Sequence, residues 1–530
     1  MSDAARVPGS GSGSGPGSQL GAESREILAR LAELRAADAP THGGRVLSYV
    51  YDAGDPELDE LADLAASAAR PLNGLDPTTF TSIAAMERDL IAFMRAALGG
   101  DRPSRARGPR VVGSVTSGGT ESCLLAVKTA RDLWRAANPS ARNPSARNPQ
   151  GIAERPQPRP RLVTATTAHA AFQKSARLFD LDWDPAPCEA DGSVRASELI
   201  ERLGDDVALV VVSAPAYPTG AIDPIAEVAA AAAARGIPCH VDACFGGLAL
   251  PWWPGVPAWD FRVPGVTSIS ADLHKFGYAP KGVSVLLHRG RSRHRAQFFA
   301  TTGWPGYPVV NPTLLGSRSA SPTAAAWAIT QRLGLAGYAG LTAACVRASE
   351  ALQYAARGIG GLAVLGSPVG PAFAVVADDS VPASGRVDPH HLADEVARLG
   401  FRIQHQPGLT QANGVRIPHS AHLTIMPVTE RSVPELSAAL TRAADAVRGR
   451  PRASARVELA ALTALGYGPG GRIPSPETAW RILRLAGAGR VASGGLPPRL
   501  ATLMSLAESL PPRVAEALLT ELLARASEPK

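Results

Sequence analysis

Residues 238–247 read PCHVDACFGG. A short apolar run, 238–241, stops at an acid, Asp242, and small residues follow. Upstream, 224–235 has helical spacing and 208–212 is another apolar run. Downstream, 284–287 is a third. Further out, 110–115 and 161–164 are apolar, and 121–133 and 170–179 read as helices. Short apolar runs bounded by turn residues are buried strands. Their alternation with helices predicts an α/β fold with a mostly parallel sheet. In such sheets ligands sit beyond the carboxyl ends of the strands, so Asp242 falls at a ligand edge. A buried carboxylate needs a partner to stay charged. A protonated ring nitrogen would serve, and a simple cap on the next turn would account for Asp242 equally well.

Two further stretches carry chemistry. TSGGTES, 116–122, lies between a strand and a helix, where glycines and free helix N–H groups can approach an anion, with Thr120 adding a hydroxyl. It is neither a G-x-x-x-x-G-K-[ST] loop nor a G-x-G-x-x-G turn, and alone it is most simply a capped helix start. SISADLHKFGYAPKG, 268–282, places Lys275 after His274 among small and turn-forming residues. A desolvated lysine becomes nucleophilic and can form a Schiff base with an aldehyde, although most single lysines are solvated surface residues. Phosphate cradle, acid at a strand end, then lysine, in that order on an α/β chain, fit pyridoxal 5'-phosphate.

At these residues the chain resembles the group II pyridoxal-phosphate-dependent decarboxylases of fold type I, in their sphingosine-1-phosphate lyase-like branch. The resemblance covers roughly 40–448. It rests on SGGTES, TAHAAFQKSARLF (167–179), SAPAYPTGAIDPI (213–225), HVDACFGG, SISADLHKFGYAPKG and LLGSRSASPTAAAW (314–327). It implies a pyridoxal 5'-phosphate enzyme in which Lys275 carries the cofactor, Asp242 pairs with the pyridine nitrogen, Ala243 packs near the ring and His169 stacks on its face. Gly118, Gly119, Thr120 and His274 would hold the cofactor phosphate, and Gly316 and Ser317 would reach it from a second subunit. A homodimer with shared sites follows. On the substrate side it points to Lys281, Tyr278 and Asn73. His240, Tyr217 and Thr219 are weaker candidates.

The reaction stays open between two lyases. One cleaves a phosphorylated sphingoid base between the α and β carbons, giving a fatty aldehyde and phosphoethanolamine. The other decarboxylates an amino acid. An aminotransferase is a third choice that lacks an assignable carboxylate-binding arginine. Two departures weaken the phosphate substrate. The family's Asn-Pro-Leu-His-Pro reads NGLDP at 73–77, putting Asp76 where a histidine is expected. Its Val-Tyr-Trp-Gly-Asp reads YDAGD at 51–55, which leaves that tyrosine displaced or absent.

Composition sets the outer limits. The 530 residues carry 54 Lys plus Arg against 47 Asp plus Glu, a net charge of +7, with 45% apolar residues. Such a chain can bury a full core. Its small charge density, without Lys/Arg runs, points away from nucleic acid. Five cysteines without a C-x-x-C pair argue against a disulfide framework or a zinc or other metal site and for a reduced, cytoplasmic setting. No run is long and apolar enough for a transmembrane anchor. The expected organisation is a disordered tail, 1–21, a helical arm, 22–100, a cofactor-binding domain, 101–334, with an exposed insertion at 138–150 (NPSARNPSARNPQ), a small α+β domain, 335–450, and a helical extension, 451–530.

Overall fold

The computed structural model describes residues 20–101, 109–139, 159–468, 470–485 and 500–529. Most of the expected tail and nearly all of the 138–150 insertion lie outside the described residues. The chain forms two compact units, 1–41 and 42–530. In the first, helix α1 (Ala22–Arg35) buries none of its residues.

The second unit opens with α2 (Pro56–Ala69), capped by the Asp55 carboxylate on the Glu57 and Leu58 N–H groups, and α3 (Thr81–Ala97). Leu58, Ala62, Leu90, Met94 and Leu98 join the main core, so these two helices pack into the body of the molecule. The central elements then run β1 (Val111–Thr116), α4 (Gly119–Ala137), β2 (Arg161–Ala165), α5 (Ala171–Phe179), β3 (Asp182–Ala186), α6 (Ala196–Ile200), β4 (Val207–Ser213), α7 (Ile225–Ala234), β5 (Cys239–Asp242), β6 (Val266–Ala271), β7 (Ser284–Arg289) and α8 (Arg291–Gln297).

The seven strands form one sheet in the order β1-β7-β6-β5-β4-β2-β3. All neighbours are parallel except those of β7, which runs antiparallel to β1 and β6. The short link from β6 to β7 has no crossover helix, which a parallel return would need. β4 shows why the apolar runs are continuous. All seven of its residues are buried, with Val210 and Val212 packing toward α7 and Leu209 and Val211 toward α4 and α5. A sheet covered on both faces has no polar side to alternate with. The sequence reading missed β3, whose DWDPA contains a proline and two acids, and β6, which is hidden in the polar start of the lysine motif.

A two-stranded ribbon, β8 (Phe299–Thr301) and β9 (Val309–Asn311), precedes α9 (Ser321–Arg357). Gly334 breaks α9 with φ 55° and ψ −175°, a backbone that favours glycine. Next come β10 (Leu362–Val364), β11 (Ala372–Ala377), α10 (Pro389–Arg398), β12 (Gln404–Gln406), β13 (Leu409–Thr410), β14 (Arg416–Ile417), β15 (Ser420–Thr424) and α11 (Thr429–Val447). An antiparallel sheet, β10-β11-β15-β12, packs with α10 and α11 around a second core. Phe401, just before β12, is a buried core residue. Finally α12 (Arg456–Ala464), α13 (Pro476–Leu485), α14 (Ala501–Ser509) and α15 (Pro512–Ala526) share a separate apolar cluster. The Asp394 carboxylate joins this cluster to the small sheet by accepting from the Leu500 and Ala501 N–H groups at the start of α14.

Candidate active site

The register brings the motifs to one edge. Ser213 lies opposite Asp242, and Asp242 opposite Ser270, so the loops after β1, β4, β5 and β6 all leave from the carboxyl ends of the strands. Lys275 sits on the turn after β6. Its Nζ lies 2.9 Å from Asp272 Oδ2. Burial works against the ammonium, but Asp272, Tyr51 and Cys244 together outweigh it and hold the lysine well above its usual range. Asp272 is 3% exposed, and neither carboxylate oxygen has a well-aligned hydrogen bond. The close Lys275 contact is therefore an ion pair of poor hydrogen-bond geometry.

Asp242 is also buried. Its Oδ1 accepts from the Cys244 N–H at 3.1 Å and the Ser270 hydroxyl at 3.3 Å. Burial alone would raise its pKa. His169, the Cys244 N–H and Lys275 together bring it below the usual value, so the carboxylate stays charged. Asp242 thus caps the local turn through Oδ1.

The cradle is built from β1 and α4. Glu121 Oε2 accepts from the Ser117 N–H at 2.6 Å, and Oε1 from the Leu314 N–H at 2.6 Å. Thr116, Ser122 and Ser284 form a buried hydroxyl chain at 2.7 and 3.0 Å. A Cβ on Gly119 would lie 2.6 Å from Asp272 Oδ2 and 2.9 Å from Cys244 Sγ, and one on Gly118 would lie 3.1 Å from the His274 ring. The cradle therefore closes directly over the lysine turn. His274 Nδ1 accepts from the Val283 N–H at 3.3 Å, which leaves the Nε2 proton facing Asp272 at 3.5 Å. Burial lowers the His274 pKa, so the ring is largely neutral.

Gly118, Gly119, Asp242, Ala243, His274 and Lys275 come together, with His169 close enough to act on Asp242. Thr120 is exposed at the rim. Gly316 and Ser317 are also exposed, and Asn73 Nδ2 donates to Ser317 Oγ at 3.2 Å, so Asn73 belongs with that segment. Tyr278 is placed differently from the expectation. It is buried beside Tyr338, its hydroxyl faces Cys345, and it adopts φ 59°. His240 is a core histidine held by Ser268 and Ser270 at 2.9 and 3.1 Å, with its pKa lowered to about 4 by burial. Thr219 shapes its own turn by accepting from the Ala221 N–H.

The tyrosine of 51–55 lies near the lysine turn: burial pushes the Tyr51 hydroxyl well up, and Lys275 acts on it. Its ring meets Phe276 edge-on at 5.4 Å and lies under Lys281 Nζ at 4.5 Å. Lys281 also donates to His274 O at 2.8 Å, and burial and Lys275 lower its pKa to about 8. Tyr217 completes the mouth. Its hydroxyl donates to Gln404 Oε1 at 2.6 Å, while Gln404 Nε2 donates to the Tyr49 hydroxyl at 2.7 Å. The sequence reading passed over Asp272, although its place three residues before Lys275 is a local signal; Gln404 gave none, because chain folding alone brings it here.

A parallel sheet with one antiparallel strand, a glycine cradle, and a lysine and an aspartate facing one edge define a fold-type I pyridoxal-phosphate enzyme. The residues fit the group: the cradle admits no side chain, and Asp242 and the Lys275 turn converge beside it. The chain belongs to the pyridoxal-dependent decarboxylase family, whose conserved domain matches residues 56–357. A second match, described as a pyridoxal-dependent enzyme C-terminal putative HTH domain, covers 435–525. A sphingosine-1-phosphate lyase of Oryza sativa subsp. japonica is 33% identical over 411 residues, 76% of this chain and 69% of the relative. A probable L-tyrosine/L-aspartate decarboxylase of Methanothrix thermoacetophila is 32% identical over 334 residues, 62% of this chain and 76% of the relative. The solved sphingosine-1-phosphate lyase of Burkholderia pseudomallei superposes with TM-score 0.70 and 33% identity, covering 84% of this chain and 95% of that one. The protein is a pyridoxal-phosphate-dependent lyase. Among the described residues no helix is long and apolar enough to cross a membrane.

Proposed function

We propose that the protein cleaves a phosphorylated sphingoid base between its α and β carbons, releasing a fatty aldehyde and phosphoethanolamine. The observation that carries this reading is Lys281: a second ammonium beside Lys275, held over Tyr51, where it can receive a substrate phosphate. The relatives named sphingosine-1-phosphate lyases support the same choice.

Bound pyridoxal 5'-phosphate would supply an electron sink for the pair left on the α carbon. Lys275 would hold it, Gly118, Gly119, Thr120 and His274 would take its phosphate, and Asp242 would keep its ring nitrogen protonated, with Ala243 and His169 against the ring. Lys275 Nζ would also be placed to move a proton between the substrate's β-hydroxyl and α carbon, with Asp272 at 2.9 Å steadying its charged form. Tyr51, Phe245 and Phe276 limit water at the site.

A second subunit would bring Gly316 and Ser317 to the cofactor phosphate. Supporting a homodimer, Phe299, Trp304, Tyr307, Val310, Leu314 and Leu315 are exposed on one segment, an apolar patch that asks for a partner. A cytoplasmic setting is supported by five free, buried cysteines. The division at 334 and 450 is supported by the break at Gly334 and by separate apolar clusters on either side of 450.

Amino-acid decarboxylation is the second reading, favoured by Asp76. Its carboxylate accepts from the Thr78 and Thr79 hydroxyls at 2.6 Å and is held well below the usual range by those bonds. It therefore stands as an anion on the segment where a phosphate ligand was expected. Assaying aldehyde and carbon dioxide together, with a sphingoid phosphate and a panel of amino acids, separates the two. Carbon dioxide without aldehyde would overturn carbon–carbon cleavage.

A further inference from the structure

Cys123 on α4 and Cys244, two residues beyond Asp242, bring their Sγ atoms to 4.0 Å. Both are buried. Their sulfurs and an Asp242 oxygen all lie within 4.8 Å of one another. The sulfur separation is about twice a disulfide bond. It is close to the span of two thiolates on one tetrahedral ion: metal–sulfur bonds of about 2.3 Å set the sulfurs about 3.8 Å apart. A further oxygen stands beside the group. Asp272 is buried with both oxygens lacking a well-aligned hydrogen bond, and the position of the missing Gly119 Cβ is within 2.9 Å of both Cys244 Sγ and Asp272 Oδ2.

We propose that, in the cofactor-free enzyme, Cys123, Cys244 and Asp242 bind a soft divalent cation such as Zn2+ or Cd2+, and that metal and cofactor exclude each other. Binding releases the two thiol protons to solvent, with no change of oxidation state. Two thiolates and a carboxylate set three negative charges against the ion's two positive ones, beside the Lys275 ammonium. A carboxylate engaged by the ion cannot also pair with a pyridine nitrogen. The exclusion thus rests on the assignment of Asp242 as the ring partner, whereas the metal site does not.

The test is titration of the full-length apoprotein with Cd2+, reading the ultraviolet thiolate-to-cadmium charge-transfer band. The expected result is one Cd2+ per chain, an affinity loss of about tenfold or more in Cys123→Ala, no change in Cys188→Ala, and cofactor uptake slowed by stoichiometric Cd2+ in the parent protein and in Cys188→Ala but not in Cys123→Ala. X-ray absorption of the zinc-loaded parent protein should count two sulfur neighbours, which keeps the test independent of how the variants fold. No band, an unchanged band in Cys123→Ala, or no sulfur neighbours would overturn the site. Uptake of Cd2+ unaltered by bound cofactor would overturn the exclusion, and with it the role of Asp242, while leaving the site in place.

Discussion

Lys275 and Asp272 stand on one turn, and their ion pair decides how the lysine behaves before a cofactor arrives. Lys275→Ala should remove the yellow, borohydride-reducible chromophore of the reconstituted protein and abolish turnover; a reducible chromophore that survives would contradict the attachment. The pairing proposed for Asp242 would act on the chemical step. A charge pair near 4 Å is worth about 4 kcal/mol at an effective dielectric near 20, which corresponds to roughly three powers of ten in rate. Asp242→Ala should therefore keep the cofactor and lose about a thousandfold in kcat, and near-normal turnover would refute the pairing. Lys281, with its pKa lowered to about 8, is charged below that pH and loses its charge above it. KM for a phosphorylated substrate should rise as pH passes 8 in the parent protein, while Lys281→Met should show a uniformly high KM without that inflection.

Among the elements, α4 and the turn after β6 depend on each other. Gly119 lets the helix start approach Asp272 and Cys244, and the added methyl of Gly119→Ala would lie 2.6 Å from Asp272 Oδ2. Overpacking of this kind costs about 1–3 kcal/mol. The expected outcome is a cofactor dissociation constant raised about five- to a hundredfold, measured by fluorescence titration, with unchanged far-ultraviolet circular dichroism. Equal affinity would show that the cradle opens on loading. Most strands at this edge were legible as apolar runs because both faces of the sheet are covered. β3 and β6 were hidden because their polar residues are satisfied by neighbours far away in sequence. Asp184 on β3, for instance, pairs with Arg161 on β2 at 2.5 Å.

At the scale of the whole molecule, the exposed apolar segment 299–315 and the Asn73–Ser317 contact lie together on the dimerisation segment proposed above. Phe299→Asp combined with Leu314→Asp should convert a dimer to a monomer in light scattering and lower activity at least tenfold, since each site would lose its partner's contribution; a fully active monomer would sink the shared site. The C-terminal helices present a different surface. On α15 the exposed side chains mix apolar and charged groups, Leu519 and Leu523 beside Arg513 and Glu516.

The cofactor, the α/β class and the roles expected of Lys275, Asp242 and the glycine cradle could be read from the chain itself, because each depends on residues within a few positions of a strand end or helix start. Lys281 over Tyr51, Gln404 bridging Tyr217 and Tyr49, the burial of Tyr278 against Tyr338 and the pairing of Cys123 with Cys244 came only with the tertiary structure. These contacts join residues that share no periodicity and no local spacing. Only the packing of separate elements sets their distances, and with those distances their charge and desolvation.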